Sequence, residues 1–150
     1  MKRFLTFAAL TFLASPALAD DDLMKVQASD DVASTMDALE AAVDGAGATV
    51  FARVDHAQGA QDAGMELAPS QVLIFGNPKL GTPAMQDDPL AGLYLPMKVL
   101  VYEDANGQVW LAYEDPEEMF DELDGIDDDA EYIQKMTGAL GKLTQKAAGG

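Results

Sequence analysis

A chain of 150 residues with 9 Lys+Arg against 26 Asp+Glu carries a formal charge of −17 and contains no cysteine. Disulfides, thiolate nucleophiles and Cys-ligated metals are thereby excluded. So much negative charge also repels nucleic-acid phosphate and anionic bilayers at long range, so the expected partners are neutral, cationic or apolar, with no nucleic acid among them.

The first 19 residues have the three zones of a secretory signal peptide. Lys2 and Arg3 give a positive start, Phe4 to Leu13 are apolar apart from Thr6 and Thr11, and Ala17-Leu18-Ala19 is a small-x-small cleavage signal before Asp20. A spanning helix would need about 20 apolar residues, and this stretch is half that. A bacterial lipid anchor would need a cysteine after the cleavage site, and there is none. The expected product is residues 20–150, a single domain without a membrane anchor, in a bacterial periplasm or, as the alternative, secreted. It keeps 7 basic and all 26 acidic residues, so its charge is −19 and the acidity belongs to the folded part.

Leu23 to Ala28 alternates in the manner of a first strand, with Met24, Val26 and Ala28 on one face. Ser29, Asp30 and Asp31 offer caps for a helix whose Val32, Met36, Leu39 and Val43 recur at helical spacing, ended by Gly45 or Gly47. Ala48 to Asp55 reads as a second strand. His56 to Gly64, rich in alanine, reads as a helical connection turning at Gly64. Gln71 to Phe75 contains the unbroken run Val72-Leu73-Ile74-Phe75, expected to be a strand covered on both faces. Gly76-Asn77-Pro78 breaks the chain, and Thr82-Pro83 has cap and first-turn chemistry for a short helix through Met85 and Gln86.

Met97 to Glu103 and Gln108 to Tyr113 flank Asp104-Ala105-Asn106-Gly107, whose Asn-Gly pair suits a tight reversal, so a hairpin is expected there. Asp115-Pro116-Glu117-Glu118 opens a short helix with Met119, Phe120 and Leu123 on its apolar side. A last helix from about Asp128 to Lys146 puts Ile133, Met136, Leu140 and Leu143 on one stripe. The order strand, helix, strands, helix predicts an α+β fold, a mostly antiparallel sheet with helices on one face.

Phe51-Ala52-Arg53-Val54-Asp55-His56, Leu73 through Pro83, Leu95 through Tyr102, and Asp104 through Trp110 together resemble domain-of-unknown-function family 302. The resemblance runs from about Ala48 to Pro116. It implies a small α+β domain of TATA-binding-protein-like arrangement and allows a homodimer. It brings no reaction with it, since function lives in sites rather than folds.

His56 is the only histidine, so a His-pair metal site cannot form, and any Ser-His-Asp arrangement has this imidazole alone to draw on. At the end of a strand it is a candidate ligand-binding or acid/base group, or merely a turn-fixing one. Gly76-Asn77-Pro78-Lys79 with Gly81-Thr82-Pro83 gathers amides, a carboxamide, an ammonium and a hydroxyl after a buried strand, but lacks the spacing of a phosphate loop. The plainer reading is a turn and a helix cap. Lys79 and Lys98 stand out because basic residues are scarce. From Glu114 to Glu131, eleven of eighteen residues are acidic, and with Gly125 at the sixth position of a calcium loop the first position would be Phe120, which cannot ligate. Trp110, Tyr102, Tyr113 and Phe51 are expected as core or dimer contacts, with a pocket lining as the alternative.

The leading expectation is therefore an exported domain that binds a small polar ligand or a protein partner through His56, Asn77, Lys79, Thr82 and Lys98. The rivals are an enzyme using His56 as acid/base and a cation-responsive structural module built on the acidic run.

Overall fold

The computed structural model describes residues 23–149; the leader and Asp20 to Asp22 lie outside the described residues. Eleven elements follow in chain order among them: β1 (Leu23–Gln27), α1 (Val32–Gly45), β2 (Thr49–Asp55), α2 (His56–Asp62), β3 (Ser70–Gly76), α3 (Pro78–Asp87), α4 (Ala91–Tyr94), β4 (Met97–Glu103), β5 (Val109–Glu114), α5 (Pro116–Phe120) and α6 (Glu131–Ala147).

The hairpin sets the sheet. Gly107 takes φ +75, which glycine adopts without a Cβ penalty. The Asp104 carboxylate fixes the turn by accepting from Asn106 N at 2.8 Å and Gln108 N at 3.0 Å. Its other oxygen accepts from Trp110 Nε1 at 3.1 Å. The five strands lie in the order β1-β5-β4-β3-β2, every pairing antiparallel.

Period-two alternation then sorts the side chains. Leu73, Phe75, Met97, Val99, Val101, Val109, Leu111 and Tyr113 point to one face and are buried. That face is covered by α1 and α6, which also pack on each other. The sequence stripes supply the contact: Val32, Met36, Leu39 and Val43 from α1 and Ile133, Met136, Leu140 and Leu143 from α6 are all buried. Each such side chain contributes about 1.5–3 kcal/mol by leaving water. The α+β plan with helices on one face is thus the observed architecture.

Three expectations change in detail. β3 is not covered on both faces: only Leu73 and Phe75 are buried, while Val72 and Ile74 are partly exposed. The apolar run reflects helices on one side and a bare sheet surface on the other. The helix expected to open at Thr82-Pro83 begins five residues earlier, at Pro78, because Asn77 caps it by accepting from Lys79 N at 3.0 Å, and Pro83 is carried inside the helix. The last helix starts at Glu131, after Ala130, without a side-chain cap.

Candidate functional site

β3 ends at Gly76, which has the Phe51 ring and Pro96 close beside it. A Cβ on Gly76 would meet Phe51 Cε2 at 3.3 Å and Pro96 Cβ at 3.6 Å. Phe51 reaches this position because the β2–β3 ladder is irregular between Val50 and Ala52, leaving Phe51 outside the pairing. Phe51 stays 58% exposed. Beyond Gly76 the chain turns into α3, which leaves the sheet and comes up against α6. Between the end of the sheet, α3 and α6 lies a cavity of about 470 Å³.

Its walls are apolar. The sheet end contributes Phe75, Met97 and Phe51, and α3 contributes Leu80 and Met85. The segment before β4 contributes Leu95 and Pro96, and α6 contributes Met136, Ala139, Leu140 and Leu143. Asn77 and Thr82 are the polar side chains in this lining. The Asn77 carbonyl oxygen is engaged in capping α3, which leaves its NH₂ group as a donor. Thr82 is exposed on the next turn of the same helix.

Of the five residues singled out by sequence, the structure brings together Asn77 and Thr82 and separates the others. His56 is the first residue of α2, just past the Asp55 cap, and is exposed. Thr49 pairs with Gly76 and Asp55 with Gln71, so His56 and Asn77 occupy opposite ends of β2–β3. At 3.3 Å per residue that is about 20 Å, far beyond hydrogen-bonding reach even through one water. The polar loops therefore do not converge on the imidazole, because the strand between them is extended. Lys79 is exposed on α3 and outside the cavity lining, and Lys98 is exposed on the sheet face away from the helices.

The acidic segment spans the end of β5, α5 and the approach to α6. It is anchored by buried Met119, Phe120, Leu123 and Ile126. Among the described residues, no group of three or more His, Cys, Asp or Glu side chains is placed to hold a metal ion. Gly125 has a packing role instead: a Cβ there would lie 2.7 Å from the backbone oxygen of Asp87. Nearby, Tyr132 Oη donates to Asp87 Oδ2 at 2.9 Å. Burial, and then the Asp87 carboxylate, push the Tyr132 hydroxyl up to about 12.

The cavity itself escaped the reading of the sequence. Met136, Leu140 and Leu143 gave a core stripe, which they form, but periodicity does not show where a stripe lacks a packing partner.

A crystal structure of an uncharacterized conserved protein DUF302 from Bacillus stearothermophilus matches this one with a TM-score of 0.75 at 20% identity, covering 85% of this chain and 98% of that one. At that identity the likeness is one of fold. In sequence the chain is 39% identical over 134 residues to proteins named fluoride-specific ion channel FluC 1 from Brucella suis biovar 1 and from Brucella abortus biovar 1. The match takes in 89% of this chain but 52% and 49% of those proteins, so the chain spans about half the length of the curated relatives it matches. Among the described residues no helix is long and apolar enough to cross a membrane. Residues 24–143 match the family described as domain of unknown function DUF302, and with that span filling most of its length, the chain belongs to this family.

Proposed function

We propose that this chain is an exported binding domain, released into the periplasm by its first 19 residues, whose ligand is small, largely apolar and carries one polar end. The observation behind this reading is the 470 Å³ cavity with apolar walls and the Asn77 and Thr82 side chains in its lining. Small-molecule sites have volumes of about 300–1,000 Å³, apolar linings and a few placed polar groups. The adaptable thioethers of Met85, Met97 and Met136 suit a flexible apolar chain. Asn77 and Thr82 favour a hydroxyl, amide or amine end. A carboxylate is disfavoured by the surrounding negative charge.

A thermal-shift series of straight-chain alcohols, amides and amines tests this. The expected result is a rise in melting temperature that grows with chain length and then stops. Ala139→Phe, which fills one wall, is expected to abolish the shift while keeping the helical circular-dichroism signal, and His56→Ala to leave it unchanged. Equal shifts in wild type and Ala139→Phe would refute the site.

A second reading rests on the relatives named as fluoride channels, of which a domain like this one forms about half. In that reading the domain works beside a membrane channel, as the matching portion of those relatives would. Deletion of the chain is then expected to alter the fluoride sensitivity of the cell, and unchanged growth in fluoride would dismiss it.

A further inference from the structure

The chain has no cysteine, so its sulfur chemistry rests on methionine. The methionines among the described residues fall into two groups. Met36, Met97, Met119 and Met136 are buried, while Met24 is 43%, Met65 61% and Met85 39% exposed. Of the exposed three, Met85 alone lines the cavity. Glycines lie beside its sulfur and its methyl group: a Cβ on Gly92 would be 3.6 Å from Met85 Sδ, and one on Gly81 4.0 Å from its Cε. Neither glycine carries a side chain to cover the thioether. A peroxide must reach the sulfur to oxidise it, so exposed methionines react ahead of buried ones.

We propose that Met85 is a site of reversible oxidation, through which a hydroperoxide lowers the affinity of the cavity for its apolar ligand. This regulation presupposes that the cavity is the ligand site proposed above. A lone pair on the Met85 sulfur attacks one oxygen of hydrogen peroxide. The S–O bond forms as the O–O bond breaks, and the departing hydroxide takes up the proton carried on the transferred oxygen and leaves as water. Sulfur gives up two electrons and the peroxide is reduced. The sulfoxide is polar where the thioether was apolar. Thr82 and Met85, three residues apart on α3, are neighbours on one helix face, and both line the cavity. The sulfoxide oxygen, a strong acceptor, either takes the Thr82 hydroxyl from the polar end of the ligand or is buried without a partner under its apolar chain; both weaken binding. Met97 on the sheet end and Met136 on α6 are buried and stay thioethers, so the change is confined to the α3 wall. A methionine sulfoxide reductase restores the thioether, taking two electrons from a dithiol and releasing the oxygen as water.

A time course of hydrogen peroxide treatment of the purified chain, followed by peptide mass spectrometry, reads the site. Met85 is expected to oxidise at least about tenfold faster than Met97 and Met136, at a rate comparable with Met24 and Met65. Binding is then measured, at a dose that spares the buried methionines, with the neutral fluorophore N-phenyl-1-naphthylamine, whose emission rises in an apolar site. Oxidation is expected to weaken it by about tenfold. A Met24→Leu, Met65→Leu double variant is expected to lose binding as the wild type does. Met85→Leu, compared with itself before and after peroxide, is expected to hold its own affinity within about twofold. Methionine sulfoxide reductases of both epimer specificities, with dithiothreitol, are expected to restore wild-type binding. Met85 oxidising no faster than Met97 and Met136, undiminished binding by the oxidised wild type, a double variant that peroxide spares, a loss in Met85→Leu as large as in the wild type, or no recovery would each overturn the proposal and leave the cavity as a ligand site. No binding by the untreated chain, or equal binding by Ala139→Phe, would remove the ligand site and its regulation together.

Discussion

At the scale of single residues, the Tyr132–Asp87 contact ties the first turn of α6 to the last turn of α3. Its pH dependence follows from the sign of the shift. The hydroxyl is held at about 12 in the folded chain, above the ordinary value of about 10. Its contribution to stability is therefore complete below pH 10 and is lost as the pH rises through 12. Tyr132→Phe removes the hydrogen bond at a cost of about 1 kcal/mol near neutrality. Urea midpoints between pH 8 and 11.5 check both parts: the wild type is expected to lose its advantage over Tyr132→Phe as pH rises, and a constant difference would contradict the assignment. Asp104 behaves in the opposite sense. Backbone hydrogen bonding from Gln108 heads the interactions holding its carboxyl below the usual range. The hairpin is thus supported above that range and loosened as the pH falls through the lowered value.

At the scale of elements, α3 separates two roles that the sequence put in one segment. Asn77 both caps α3 and lines the cavity, while Thr82 lines the cavity without capping anything. Asn77→Ala is expected to cost about 1 kcal/mol of stability and to weaken ligand binding. Thr82→Val is expected to weaken binding while leaving the melting temperature within a degree or two, as surface substitutions generally do. Equal melting losses would show that Thr82 has a structural part the geometry does not give it. Gly125→Ala is a different test, since its new Cβ would strike the Asp87 carbonyl, which is backbone and cannot swing away; about 1–3 kcal/mol is expected.

These elements also show what the sequence made legible. The α1 and α6 stripes, the Asn106-Gly107 reversal and the alternation of β4 and β5 each encode a local periodicity or turn chemistry, and each is where the residues placed it. The start of α3 was misplaced because Asn77-Pro78 and Thr82-Pro83 are equally good starts on local grounds. The placement of His56 was illegible for a stronger reason. Which loops meet in space depends on strand pairing, and Thr49↔Gly76 with Asp55↔Gln71 sends the two polar loops to opposite ends of the sheet. The cavity was illegible because it is a gap between faces, and composition records only the faces.

At the scale of the molecule, charge is the dominant feature. Against −17, Arg53 pairs with Asp37 and Glu40, and Lys135 with Glu131. The Arg53 contacts at 2.6 and 3.3 Å tie β2 to α1, while the Lys135 pair is an exposed i,i+4 contact of small worth. Added salt therefore screens little attraction and much repulsion. Screening shortens to about 3 Å at 1 M salt from about 30 Å at 0.01 M, so carboxylates on neighbouring elements cease to oppose folding. Urea denaturation, which adds no ions of its own, is expected to show a gain on the order of 1 kcal/mol or more between low salt and 0.5 M sodium chloride. A urea midpoint that falls with salt would mean that favourable pairs outweigh the repulsion.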